Sequence, residues 1–86
     1  MKARVYVTYK RGVLDPQGKA VAGSLHSLGF EEVADVRIGK YMEIRLSGGS
    51  VDEAGRRVRE MCERLLANGV IEDFRFDVVP DGAPRP

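Results

Sequence analysis

The chain has 86 residues, with 14 Lys and Arg against 13 Asp and Glu, one His, one Cys and no Trp. That length allows one small domain burying roughly 60–65% of its unfolded surface, so a second copy would be a natural supplement to its stability. A net charge of +1 gives no electrostatic mandate for nucleic acid or an anionic membrane, and one Cys with one His makes neither an intramolecular disulfide nor a Cys/His zinc site.

The opening MKARVYV lacks the apolar core of a signal peptide, and no apolar run approaches about 18 residues. Neither secretion nor membrane insertion is expected, and a reducing cytoplasm is the default compartment. Residues 2–10 alternate, with Ala3, Val5, Val7 and Tyr9 on one face and Arg4, Tyr6, Thr8 and Lys10 on the other, which reads as a half-buried strand. Asp15-Pro16 then starts a helix: Asp15 is a good N-cap, and Pro16 suits the first helical position because its missing N–H loses nothing there. The helix is expected to bury Val21, Leu25 and Leu28 and to end at Gly29, with Phe30 folding back on Leu25.

From Ala34 to Leu46 apolar residues take nearly every even position: Ala34, Val36, Ile38, Met42, Ile44 and Leu46. Two structures satisfy that alternation. A hairpin with a three-residue loop would set Arg37 opposite Glu43 and Asp35 opposite Arg45. A continuous strand of about 13 residues, roughly 43 Å long, would need a second chain to cover its far half, with Gly39 marking a bend or bulge.

Ser50 and Glu53 form an S-x-x-E capping box before a second apolar series, Val51, Ala54, Val58, Met61 and Leu65. Gly69 is expected to terminate this helix, with Val70 meeting Leu65. Its other face offers five i,i+4 pairs: Asp52–Arg56, Glu53–Arg57, Arg56–Glu60, Arg59–Glu63 and Glu60–Arg64. A solvated face explains these arginines better than a phosphate site does. A last strand sets Phe74, Phe76 and Val78 against Arg75 and Asp77, and residues 80–86 are expected to be a disordered tail after a single domain at 1–79. The fold class expected is α+β, in the order β-α-(long β or ββ)-α-β, with two helices on one face of a mostly antiparallel sheet.

Catalytic equipment is sparse. His26 lies beside the apolar stripe of the first helix and reads as a surface residue, while Cys62 reads as a small core hydrophobe because no base accompanies it. No metal site is expected. Residues 10–18, KRGVLDPQG, stand apart: they join a strand to a helix N-terminus and supply backbone N–H donors, two cations and two glycines. Either this is an anion-binding or partner-docking loop, or it is a capped turn with Val13 and Leu14 buried.

Four segments together carry a resemblance: K-R-G-V-L-D-P-Q-G at 10–18, L-x-x-L-G-F at 25–30, V-R-I-G-K at 36–40 and L-L-A-N-G-V-I-E-D-F at 65–74. In this order and register the chain resembles the PurS-type small subunit of phosphoribosylformylglycinamidine synthase from residue 2 to about 79. It departs from the usual family pattern in having Gly69 where proline is common. The resemblance implies a non-catalytic subunit of a ligase in de novo purine synthesis. Its partners would be a large synthetase subunit (PurL type), carrying ATP and Mg, and a glutaminase subunit (PurQ type) that releases ammonia. The complex would convert formylglycinamide ribonucleotide to formylglycinamidine ribonucleotide. No cofactor is expected on this chain itself. The resemblance also implies a homodimer that exchanges segments, favouring the continuous middle strand. Lys10, Arg11, Gly12, Asp15 and Gln17, with Arg37, Gly39 and Lys40, are then the expected partner-facing or loop-shaping positions, and Val13, Leu14 and Pro16 hold the loop. Two other classes fit the same element order less well. They are an ACT-like small-molecule regulatory module and a single-stranded RNA binder using Tyr6, which lacks that class's basic-aromatic signature.

Overall fold

A computed structural model describes residues 1–80; the remainder of the expected tail lies outside the described residues. Strand β1 (Lys2–Tyr9) is followed by helix α1 (Pro16–Ser27), strand β2 (Gly39–Arg45), helix α2 (Val51–Met61) and strand β3 (Glu72–Val79). The strands form one antiparallel sheet in the order β2-β1-β3. Because β1 is central, the outer edges of both its neighbours are unpaired among the described residues.

The alternation in β1 does what its sequence dictates. Ala3, Val5 and Val7 are fully buried and meet Val58 and Cys62 of the second helical segment, with Met42, Ile44, Phe74, Phe76 and Val78 packed around them. Arg4 and Tyr6 take the opposite face. There Arg4 grips Asp77 with two hydrogen bonds of 2.7 and 2.9 Å, and the Arg75 guanidinium lies 3.9 Å from the Tyr6 ring centre.

No hairpin forms in the middle segment. β2 pairs with β1 alone, setting Arg4 beside Glu43 and Lys2 beside Arg45, so neither the Arg37–Glu43 nor the Asp35–Arg45 pairing exists. Residues 33–38 carry no ladder among the described residues. Gly39 enters the sheet where a Cβ would overlap the Val7 carbonyl oxygen, so the close approach there requires glycine.

Helix α1 is capped as expected but stands off the sheet. Gly29 takes φ +97°, and the Phe30 and Gly29 N–H groups donate to the Leu25 and His26 carbonyls, closing a Schellman turn. Only Gly18 of this helix is buried. Val21 and Leu28 of the apolar stripe are 39% and 72% exposed and Leu25 is half-buried, so among the described residues the stripe is largely uncovered. The radius of gyration, 16.2 Å, exceeds the roughly 12 Å of a compact chain of this length.

In α2, Ser50 accepts the Glu53 N–H at 3.1 Å, and Ala54 and Val58 face the core. The helix then widens into a π-helical turn, Cys62–Leu66, where the Ala67 N–H donates to the Cys62 carbonyl. One extra residue in that turn advances the helical phase. Cys62, one regular turn after Val58, is buried, and beyond it Ala67 returns to the core, Leu66 is half-buried and Leu65 points outward at 83% exposure, against the sequence expectation for Leu65. Val70 is equally exposed and Gly69 has no positive φ, so the expected glycine ending does not occur. Asn68 closes the segment instead, its side chain accepting the Val70 N–H while Glu72 accepts the Asn68 N–H. Of the five i,i+4 pairs, Glu60–Arg64 forms; Arg57 reaches Glu60 at i,i+3, and Arg59 lies over Phe74 and Phe76.

Candidate functional site

The loop between β1 and α1 is held at its start by backbone contacts. The Lys10 N–H donates to the Ile71 carbonyl, tying the loop to the approach of β3, and the Val13 N–H donates back to Lys10. Gly12 takes φ +84°, a left-handed turn conformation that favours glycine.

Asp15 is the organising residue. One carboxylate oxygen accepts the Gly18 N–H at 2.9 Å, capping α1; the other accepts the Ile38 N–H at 2.8 Å, from the segment entering β2. Those two bonds, Ile38 foremost, hold the Asp15 carboxyl below the usual carboxylate range, with the Arg37 charge adding to them. Gly18 completes the clasp: a Cβ there would overlap the Val36 carbonyl oxygen and crowd the Asp15 carboxylate. A single aspartate therefore sets both where the helix begins and where residues 36–38 pass.

This clasp leaves an open concavity of about 440 Å³ between the loop and residues 35–37. Lys10, Arg11, Gly12, Asp15 and Arg37 of the expected site residues line it. Gly39 and Lys40 line a neighbouring groove of about 350 Å³ with Tyr6, Tyr41 and Arg75, and Gln17, exposed, lines neither. Lys40 reaches Glu72 at 3.8 Å and Lys10 reaches Asp73 at 4.0 Å, both cross-sheet pairs near the start of β3. Leu14 is 62% exposed rather than buried, leaving an apolar side chain at the rim. Sequence reasoning missed Lys19 and Asp35, which also line the concavity. The signal was present for both: Lys19 lies one helical turn beyond Asp15, and Asp35 shares the face of Arg37 at i,i+2.

Cys62 is buried in the core, and desolvation pushes its thiol pKa up. His26 is exposed and its Nε2 donates to the Val33 carbonyl at 2.6 Å, bracing the turn after α1. Among the described residues there is no group of three or more His, Cys, Asp or Glu side chains that could hold a metal. Nor does any helix there have the length and apolarity to cross a membrane.

A three-stranded antiparallel sheet with free edges, a helix standing off it and a charged, open concavity define a small α+β module built for assembly with other chains. The family described as PurS, phosphoribosylformylglycinamidine (FGAM) synthase, matches residues 2–80. The chain is 56% identical over 77 residues to the phosphoribosylformylglycinamidine synthase subunit PurS of Bacillus subtilis (strain 168), covering 90% of each chain. Its fold is similar to that of Methanocaldococcus jannaschii PurS, with a TM-score of 0.80 and 37% identity over 88% of this chain and 92% of that one. It is also similar to a chain in the structure of PurLQS from Thermotoga maritima, with a TM-score of 0.80 and 28% identity over 87% and 92%. The chain therefore belongs to the PurS family of phosphoribosylformylglycinamidine synthase subunits, part of a ligase of purine biosynthesis.

Proposed function

We propose that this chain is the non-catalytic docking subunit of its synthase, associating with both a PurL-type synthetase and a PurQ-type glutaminase. The likeness to a chain of the Thermotoga maritima PurLQS structure carries this reading, because it covers nearly the whole of both chains. In this reading ATP and Mg bind the large subunit, glutamine is hydrolysed on the glutaminase, and the ammonia aminates formylglycinamide ribonucleotide to formylglycinamidine ribonucleotide. All of this takes place in the cytoplasm. Lys10, Arg11, Gly12, Asp15, Gln17, Arg37, Gly39 and Lys40 are the positions that face the partners or shape the surface that does. An interface of about 1,600 Å² in total suffices for a specific complex of this kind.

A second copy of the chain covers the α1 stripe in the same reading. Leu14, Val21, Leu28 and Phe30 are between 39% and 72% exposed, and residues 33–38 lack a ladder partner. Burial of such side chains against another chain recovers about 25 cal/mol per Å² of apolar surface. Size exclusion with light scattering tests both levels. The isolated chain should run as a dimer or a multiple of one, and a folded monomer would contradict the exchanged arrangement. Mixed with the two larger subunits, it should comigrate with both; comigration of those two alone, unaltered by this chain, would contradict the docking role.

A further inference from the structure

Only two side-chain amides occur in the 86 residues, Gln17 and Asn68, and a glycine follows each. Their surroundings differ. Gly18 is buried in helix α1, and its N–H already donates to the Asp15 carboxylate at 2.9 Å. Asn68 and Gly69 are both exposed, in the turn between the π-helical segment and β3. The Gly69 N–H donates to no acceptor among the described residues, and a Cβ built on Gly69 would meet nothing within 4 Å. The Val70 N–H donates to Asn68 Oδ1 at 3.0 Å, an Asx turn that folds the side-chain carbonyl back over the peptide bond to Gly69.

We infer that Asn68 is a site of spontaneous covalent modification in the folded chain, where the Gly69 nitrogen closes on Asn68 Cγ to form a succinimide. The N–Cγ bond forms as the Cγ–Nδ2 bond breaks, and Nδ2 leaves as ammonia with the proton that Gly69 gives up. Water then opens the ring at either carbonyl, leaving aspartate or isoaspartate at position 68. Negative charge develops on Oδ1 during the attack, and that is the atom the Val70 N–H already meets. Glycine at 69 puts no side chain in the path of the attacking nitrogen. Gln17 would need a larger ring, closed by a nitrogen that the Asp15 carboxylate holds in place. The consequence reaches the β1–α1 loop. The Asn68 carbonyl accepts the Ile71 and Glu72 N–H groups, and the Ile71 carbonyl accepts the Lys10 N–H. Isoaspartate routes the main chain through the side chain, so it displaces that carbonyl from the turn that starts β3.

The test incubates the full, folded chain in neutral buffer and maps its peptides by mass spectrometry that separates isoaspartate from aspartate. The mass gain of deamidation should appear at Asn68 and not at Gln17, with isoaspartate among the products, and faster as pH rises through neutrality. The hydrogen bonds of the turn oppose the attack, so the folded chain should convert more slowly than chain unfolded in guanidinium. The slowing should be no more than about thirtyfold, the net worth of two hydrogen bonds. Gly69→Ala should slow conversion several-fold and leave the fold intact, because Gly69 has no positive φ and has open space beside it. Gly69→Pro lacks the attacking N–H and should stop it; the alanine variant carries the test should the proline variant not fold. Hydrogen exchange at the Lys10, Ile71 and Glu72 amides should be faster in converted than in fresh chain. Gain at Gln17 ahead of Asn68 overturns the inference, as does a folded chain slowed beyond thirtyfold, or Gly69→Ala converting as fast as wild type. Unchanged exchange at Lys10 and Ile71 in fully converted chain refutes the reach of the modification into the loop.

Discussion

Replacing Val58 by Ala probes the contact that seats α2 on the sheet. Val58 is fully buried against Val5, Val7 and Cys62. Removing two methyl groups forfeits about 1.6 kcal/mol of transfer free energy at roughly 0.8 kcal/mol each. Incomplete collapse of the cavity raises the total to about 2–3 kcal/mol. In a domain of this size that is a fall of roughly 8–24 °C in Tm. Leu65→Ala is the informative control, because helical periodicity makes Leu65 a core residue while the π-helical turn leaves it 83% exposed. Its truncation should change stability by no more than about 0.5 kcal/mol. Leu66→Ala should cost more than Leu65→Ala. Urea unfolding at one fixed protein concentration reads all three, since association itself adds to apparent stability. A Leu65→Ala variant as destabilised as Val58→Ala would refute the phase shift on which the packing account rests.

Three further outcomes follow from particular residues. Arg4, through its hydrogen bonds, holds the Asp77 carboxyl below the usual carboxylate range. A lowered native pKa stabilises the fold above the unfolded value of about 3.9 and loses that contribution as pH falls through the native value. Wild type should therefore exceed Asp77→Asn in urea midpoint at pH 7 and converge with it in strong acid; a gap that widens on acidification would contradict the pairing. Asp15→Ala should unfasten the clasp, reducing hydrogen-exchange protection at both the Gly18 and Ile38 amides. Loss at Gly18 alone would show that the carboxylate caps the helix without holding residues 36–38. Cys62 should react with a thiol reagent only as fast as the native state opens, and rapid stoichiometric labelling would contradict its burial.

What the sequence disclosed was chiefly local. The alternation of β1, the Asp15-Pro16 start of α1, the glycine ending at Gly29 and the Ser50 cap depend on neighbouring residues alone, and each forms as its chemistry requires. The π-helical turn was hidden because inserting one residue into a turn leaves the apolar spacing of Val58, Met61 and Leu65 looking regular. The ion pairs of α2 depended on which partner each long side chain reached, and Arg59 found two phenylalanines of β3 in place of Glu63. The stripe of α1 was readable as apolar, but periodicity does not say whose surface covers it. The concavity was half legible: residues 10–15 announced themselves by composition, whereas the spacing that tied Lys19 to Asp15 and Asp35 to Arg37 did not say that the two would share one surface.

Turnover of the reconstituted synthase tests the docking role most directly. With synthetase and glutaminase held constant, formylglycinamidine ribonucleotide formation is measured with glutamine and then with ammonia as nitrogen donor, as this chain is added. Glutamine-dependent turnover should rise to saturation with added chain while ammonia-dependent turnover changes much less. Glutamine-dependent turnover that is already complete without this chain would contradict the account.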